Sequence, residues 1–392
     1  MLLSTVEVPA SDLSPSSVCV RPLLLSLISN NLAYARTGEI LPWGIVPAWG
    51  YATVLESTAD IALGSTLWGF WPTSGLPTDL TLVPGKPSGH WIEVSEHRKQ
   101  LMTYYNRYVA VSEDDWEQMA WTAAFRAIWG AGYLPSEYFF FSHAWPACHP
   151  LGTVPGVNWS AEDGVLSTAV VVNLGVSTKT ARSLTSNLLC RPRGTGPLGV
   201  LQVTSVPETL EQAAEQRIAK HQLVTGPVKA LAYSDVDQTV LWLARLEPSK
   251  LVVIDCDAPG DVLVQLRDLV QAHPEIQSAK FVIILVSGQQ KVYTEADNRD
   301  WSTAIQQLGK IQSNASGAQD AAIEPDGPKE YFTRIHRRWE QWLDDRASTV
   351  PDRRLVWGKG VTGTEGLDGG WDRLTKGDVR PDEALVYMVY ME

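Results

Sequence analysis

The sequence predicts an α/β protein in which a doubly wound parallel sheet domain is inserted into a smaller β domain built from both ends of the chain. Three observations lead there. At 392 residues the chain is longer than a single core supports, since one core stops growing at about 250 to 300 residues. Its middle alternates short, continuous, β-branched apolar runs with helical stretches, the pattern of parallel strands covered on both faces. Its 16 tryptophans divide unevenly, ten in 1–160, one (Trp242) in 161–300 and five in 301–392, so the two ends share a composition that the middle lacks.

Taken in order, VCVRPLLLSL (18–27), PAWGYATVLES (47–57), STLWGFWP (65–72) and NRYVAVS (106–112) read as short strands punctuated by Gly and Pro, a pattern close to a small β barrel. WEQMAWTAAFRAIWGAG (116–132) carries a helical period leading into the sheet domain. Strands are then expected at AVVVNL (169–174), GVLQVTS (199–205), VKALAY (228–233), KLVVID (250–255) and KFVIILV (280–286). Helices fall between them at TKTARSLTSNLL, ETLEQAAEQRIAKHQL and PGDVLVQLRDLVQAHP. QSNASGAQDAAIEPDGP (312–328) is small, polar and proline-terminated, and a mobile loop is expected. EYFTRIHRRWEQWLDD (330–345) aligns Phe332, Ile335, Trp339 and Trp342 on one stripe, with Arg334, Arg337 and Arg338 toward water. The division expected is 1–125 for the first part of the β domain, 126–310 for the sheet domain and 311–392 for the return.

Composition narrows the function classes. A net charge of -12 and the lack of a basic stripe argue against nucleic acid. No apolar run approaches the roughly 20 residues of a membrane span, and a soluble cytoplasmic protein is expected. Cys19, Cys148, Cys190 and Cys256 stand singly, without disulfide or zinc spacing. His143 and Cys148-His149 form an isolated group in a proline-rich loop, too few for a zinc site, and no metal is expected.

AVVVNLGVSTKTARSLTSNLL (169–189) is a buried strand, one glycine and a helix, the layout of a pyrophosphate-binding turn, but only Gly175 remains of the usual three glycines. An ATP-type phosphate loop does not fit, because Gly-x-x-x-Lys-Thr is one residue short and lacks the second glycine. A non-glycine residue in a left-handed conformation costs roughly 1 to 2 kcal/mol, whereas a charge-assisted hydrogen bond contributes about 1.5 to 3. Lys179 with the hydroxyls of Ser177, Thr178 and Thr180 can therefore offset the missing glycines if they face a phosphate. The alternative, a structural turn with a solvated lysine, stays open.

Several motifs in order, NNLAYARTG (30–38), PAWGYATVLES, GSTLWGFWP (64–72), HRKQLMTYYNRY (97–108), STKTA (177–181) and EYFTRIHRRWEQW, resemble the medium-chain dehydrogenase/reductase superfamily. Within it they are most similar to a branch defined as a domain of unknown function from fungi and bacteria. The resemblance covers nearly the whole chain. It implies a GroES-like β domain from both termini, a Rossmann-like inserted domain, and a zinc-independent reductase of the quinone or enoyl type, in a superfamily whose members are often dimers.

The resemblance also implies roles for individual residues. Gly175, Ser177, Thr178, Lys179 and Thr180 would hold the cofactor phosphates. Thr204 and Ser205 stand at the strand tip where an acidic residue would select NAD, so NADP(H) is expected, with Arg217 (and Lys220) as candidates for its extra phosphate. Tyr34 or Asn31 would polarise the acceptor carbonyl. His97, Tyr104 and Tyr105 are candidates for proton transfer, against a packing role. Trp43, Trp49, Trp68 and Trp71 suit a pocket for a bulky hydrophobic metabolite such as a polyketide. Two other readings remain: a non-redox enzyme (dehydration, isomerisation or cyclisation) with a degenerate cofactor site, and a noncatalytic small-molecule binding protein.

Overall fold

The computed structural model describes residues 12–37, 45–99, 101–112, 114–141, 147–152, 159–256, 258–259, 261–287 and 308–390. His143 and Trp43 lie outside them.

The first sheet begins with β1 (Ser17–Leu27), β2 (Pro47–Ser57), β3 (Thr66–Pro72), β4 (Thr78–Pro84), β5 (His90–Glu93) and β6 (Arg107–Val111). Hydrogen bonding runs β1-β2-β3-β6-β5-β4, and β4 returns to pair with β1, closing an antiparallel barrel with no free edge among these strands. The C-terminal strands β13 (Arg354–Lys359) and β14 (Glu383–Met388) add to β1, so one sheet contains strands from both ends of the chain. The short strands β4, β5, β13 and β14 were not expected from the sequence. In β4, β5 and β13 polar and charged residues interrupt four to seven positions, too few for a period-2 signal, whereas β14 (EALVYM) is a short buried apolar run that went unread.

The second sheet is parallel throughout. Its strands are β7 (Ala169–Leu174), β8 (Gly199–Thr204), β9 (Val228–Ala232), β10 (Lys250–Cys256), β11 (Lys280–Ser287) and β12 (Ile311–Gln312), in the order β12-β11-β10-β7-β8-β9. Counted from β7, that is the order of a dinucleotide-binding doubly wound sheet, whose crevice opens at the carboxyl ends where β7 and β10 diverge. Alternate residues serve opposite faces. Val171, Ile254 and Ile284 share a core with the barrel, whereas Val170, Val172, Val253 and Ile283 pack with α5 (Thr239–Ala244) and α6 (Val262–Ala272). Covering both faces is what made these strands continuous apolar runs.

Helix α2 (Trp116–Leu134) joins the two sheets. Asp115 caps it by accepting from the Glu117 and Gln118 amides, and most of its circumference is buried. It lies against α3 (Lys179–Leu189) at Gly132, where a Cβ would stand 2.4 Å from the Thr180 carbonyl oxygen. The Ser183 hydroxyl donates to the Trp129 carbonyl at 2.7 Å across the same contact.

Two C-terminal expectations need correction. Residues 312–328 are not a loop: α7 (Ala315–Ile323) forms because the Asn314 side chain accepts from the Ser316 and Gly317 amides, and Ala318 and Ala322 are buried. In α8 (Gly327–Asp344) the stripe of Phe332, Trp339 and Trp342 is buried, but of the three arginines only Arg337 is fully exposed. Arg334 pairs with Asp326 at 3.2 Å and Arg338 approaches Glu137 at 3.7 Å.

Candidate functional site

A cleft of about 610 Å³ separates the barrel from the parallel sheet. At one end lies the turn between β7 and α3. Gly175 takes a left-handed conformation there (φ 76°), its amide donating to the Val203 carbonyl at 3.1 Å and its carbonyl accepting from the Thr178 amide at 3.0 Å. Thr178 is the N-cap of α3, its hydroxyl accepting from the Ala181 amide at 3.3 Å. Ser177, Thr178, Lys179 and Thr180 all line the cleft, so the first turn of α3, with amides that lack intrahelical acceptors, faces it.

Two cations flank this turn. Lys179 reaches back toward α2: its Nζ donates to the Ala124 carbonyl at 3.0 Å and sits 4.5 Å from the Phe125 ring centre. Burial, then the nearby Arg353 guanidinium, pull its pKa down to about 7. Arg353 donates to the Ser177 and Pro381 carbonyls, and its Nε is buried without an acceptor among the described residues. Burial, then Arg182, lower its pKa to about 10, which leaves it charged at neutral pH. No motif in the sequence marked Arg353; it follows the four-residue helix α9 (Arg346–Thr349), far along the chain from the turn it touches.

The barrel supplies the other end. Helix α1 (Asn30–Thr37) places Tyr34 against Tyr105, with hydroxyl oxygens 3.4 Å apart, and both line the cleft. Burial raises both phenol pKa values, that of Tyr34 furthest, with Tyr105 the next cause, so both hydroxyls keep their protons at neutral pH. Behind them, Trp49 stacks on Trp68 at 5.0 Å and meets Phe70 at 4.8 Å. Trp71 turns into the barrel core, donating to the Gly50 carbonyl at 3.0 Å.

Six predicted site residues are placed elsewhere or occupied. Asn31 is buried, accepting from the Ile28 amide at 2.6 Å and donating to the Pro47 carbonyl at 2.7 Å, so it fixes the chain rather than a substrate. His97 is exposed on a 3-10 turn (Glu96–Arg98) outside the cleft walls. Ser205 is exposed at the tip of β8, also outside them. Arg217, on α4 (Pro207–His221), is buried in an ion pair with Asp345, which also takes Lys220 and sits 2.9 Å from His221. Neither Arg217 nor Lys220 is available to a phosphate while that pair holds. Tyr104 lines the cleft but donates to the Ala127 carbonyl at 2.8 Å.

His149 accepts from the Leu151 amide at 2.9 Å, and among the described residues no group of three or more His, Cys, Asp or Glu is placed to hold a metal. None of the described helices is long and apolar enough to cross a membrane.

A family model described as "Protein of unknown function (DUF2855)" matches residues 25–380. The chain belongs to that family. No curated protein matches it. Among solved structures it is similar to CurA from Vibrio vulnificus in complex with NADPH, at 10% identity and TM-score 0.52, covering 100% of this chain and 94% of that one. It is also similar to a mutant form of enoyl thioester reductase from Candida tropicalis, at 8% identity and TM-score 0.51, covering 97% and 93%. The DUF2855 chain therefore has the medium-chain dehydrogenase/reductase fold, a GroES-like barrel with an inserted Rossmann-like sheet.

Proposed function

We propose that this DUF2855 protein is a zinc-independent reductase that takes NADP(H) and a hydrophobic enone-type or enoyl-type metabolite in the interdomain cleft. One observation carries the reading: a single cleft joins a helix N-terminus flanked by Arg353 to a pair of protonated phenols, Tyr34 and Tyr105, in an aromatic wall. The residues present fit a phosphate-bearing cofactor. Arg353 has a buried Nε without an acceptor among the described residues, and the first turn of α3 opens beside it. When bound, a dihydronicotinamide supplies the hydride. Tyr34, backed by Tyr105, donates a hydrogen bond to the acceptor carbonyl oxygen, stabilising the negative charge that grows there. Trp49 and Phe70 exclude water from that end and lower the local dielectric. The likeness of fold to an NADPH-bound structure supports the cofactor assignment.

The test is tryptophan fluorescence and thermal shift with NADPH, followed by NADPH oxidation against a panel of α,β-unsaturated acceptors. Saturable binding and turnover that Tyr34→Phe reduces are expected. A flat response to NADPH sinks the reading.

A second reading has its own support. Lys179 is held on the Ala124 carbonyl rather than free toward a phosphate, which suits a non-redox dehydration, isomerisation or cyclisation in the same cleft. Metabolite turnover by protein stripped of nucleotide selects that reading.

A further inference from the structure

Behind the Trp49 and Tyr104 wall lies a separate cavity of about 50 Å³, between the barrel, α2 and α8. Two arginines reach it. Arg126 stacks over Trp68 at 4.5 Å and gives a single hydrogen bond, from Nη2 to Nε2 of His336; its other donors have no acceptor among the described residues. Arg107 stacks over Phe332 at 4.0 Å and donates through Nη1 to the Lys86 carbonyl at 3.1 Å and to Nδ1 of His90 at 3.2 Å. The two histidine rings stack on each other at 5.1 Å, so the guanidiniums bracket an imidazole pair.

The charge here is unbalanced. A guanidinium stays protonated at any physiological pH, and Arg107, lowered by burial, still titrates only at about 10. Burial, then the arginines, hold His90 down to about 3, and the same causes lower His336, so both rings are neutral acceptors. Asp320 and Glu340 act on the guanidiniums only through space, since neither arginine has a carboxylate within ion-pairing distance among the described residues. Aromatic faces cover the planes of both guanidiniums, but such contacts leave the N–H edges unpaired. Buried cations are retained where they are paired, and here the open N–H edges border a cavity walled mainly by aromatic and aliphatic side chains.

We infer that this cavity is a binding site for a small monovalent anion, a halide or a compact carboxylate, held by Arg107 and Arg126. Its volume of about 50 Å³ suits one small ion. The site does not rest on the nicotinamide reading, because Arg107, Arg126, His90 and His336 do not line the main cleft, although Trp49 and Tyr104 wall both.

The experiment keeps the full chain at constant ionic strength in sodium gluconate, too large for the cavity, and replaces gluconate stepwise with chloride, bromide or formate. The thermal midpoint is expected to rise saturably, and bromide-soaked crystals to show an anomalous peak beside the Arg126 guanidinium. Arg126→Met should weaken the anion response at least tenfold. If that variant fails to fold, Arg126→Lys, which retains the charge, should bind more weakly but still saturate. A response to formate without halides assigns the site to a carboxylate; a response to all three assigns it to free inorganic anions as well. Identical midpoints in gluconate and all three anions, with no bromide peak in this cavity, overturn the inference.

Discussion

Lys179 Nζ lies 3.0 Å from the Ala124 carbonyl oxygen, tying the first residue of α3 to the middle of α2. A lysine at a helix N-terminus opposes the macrodipole, and this one is buried with Arg353 nearby, which together bring its pKa to about 7 against an ordinary 10.5. An anionic phosphate at the same turn restores the charged form, so binding takes up a proton above pH 7. NADPH affinity should fall by up to about tenfold per pH unit between pH 7 and 9, and Lys179→Met should flatten that slope, as fluorescence titration across pH would show. The sign for stability is the opposite. Between pH 7 and 10.5 the unfolded chain binds more protons at this site, so its contribution to stability rises with pH over that window. Lys179→Met should therefore melt above the wild type at pH 6, with the two converging near pH 10.

The Tyr34 and Tyr105 phenols are both pushed upward by burial, so they remain proton donors throughout the neutral range. Tyr34→Phe should lower kcat by about 100-fold or more, the usual weight of a positioned proton or hydrogen-bond donor, while leaving the Kd for NADPH within about twofold. The activity profile should show no loss from phenol ionisation below pH 10. Equal kcat in Tyr34→Phe and wild type removes Tyr34 from the reacting centre.

Arg353 brings charge to the turn at Ser177, and its buried Nε has no acceptor among the described residues. Removing one charge-assisted contact costs about 1.5 to 3 kcal/mol, so Arg353→Met should weaken NADPH binding roughly tenfold to 150-fold. Calorimetric Kd values for folded wild type and variant decide this, and unchanged affinity places the phosphates elsewhere.

The central strands of the parallel sheet were legible because they are buried on both faces, and β7 spans the predicted residues 169–174, whereas the two-residue edge strand β12 and the six-residue α5 are too short to carry a period. The β7–α3 turn was legible from Gly175 between an apolar strand and a helical stretch; the capping role of Thr178 was not. Arg353 was not, because its role arises from contact with Ser177 across the fold and no local pattern records that. Asn31 and Arg217 misled for the same reason in reverse. Their residue types suit ligand binding, but the Ile28 amide and Pro47 carbonyl occupy one and Asp345 occupies the other. The α7 helix was missed because its small, polar residues read as a loop, and the Asn314 side chain that caps it was not read as a helix start.

Asp345 is buried with Arg217 and also receives Lys220 and the Ser348 hydroxyl, joining α4 to the C-terminal end of α8. Breaking a buried pair from one side typically costs about 3 to 5 kcal/mol, because the remaining charge is stranded. Asp345→Ala should lose stability on that order, and Arg217→Met less, since Asp345 then keeps Lys220 and the Ser348 hydroxyl as partners. Chemical denaturation measures both. NADPH affinity of folded Arg217→Met should match wild type; a tenfold loss would return Arg217 to the cofactor site.

Gly132 sets the distance between α2 and α3, and through it the position of the turn that faces the cleft. A Cβ there would meet the Thr180 carbonyl oxygen at 2.4 Å and Ser183 Cβ at 2.7 Å, contacts that backbone cannot yield without moving α3. Gly132→Ala gains helix propensity of about 1 kcal/mol, yet overpacking typically costs about 1 to 3 kcal/mol, so net destabilisation is expected. Because the displaced residues are Thr180 and its neighbours, the variant should also weaken NADPH binding, while Gly196→Ala, in open space outside the cleft walls, should leave binding unchanged. Thermal melts and NADPH titrations of the two variants together test whether helix contact positions the site. A Gly132→Ala protein as stable and as tight-binding as wild type would show that it does not.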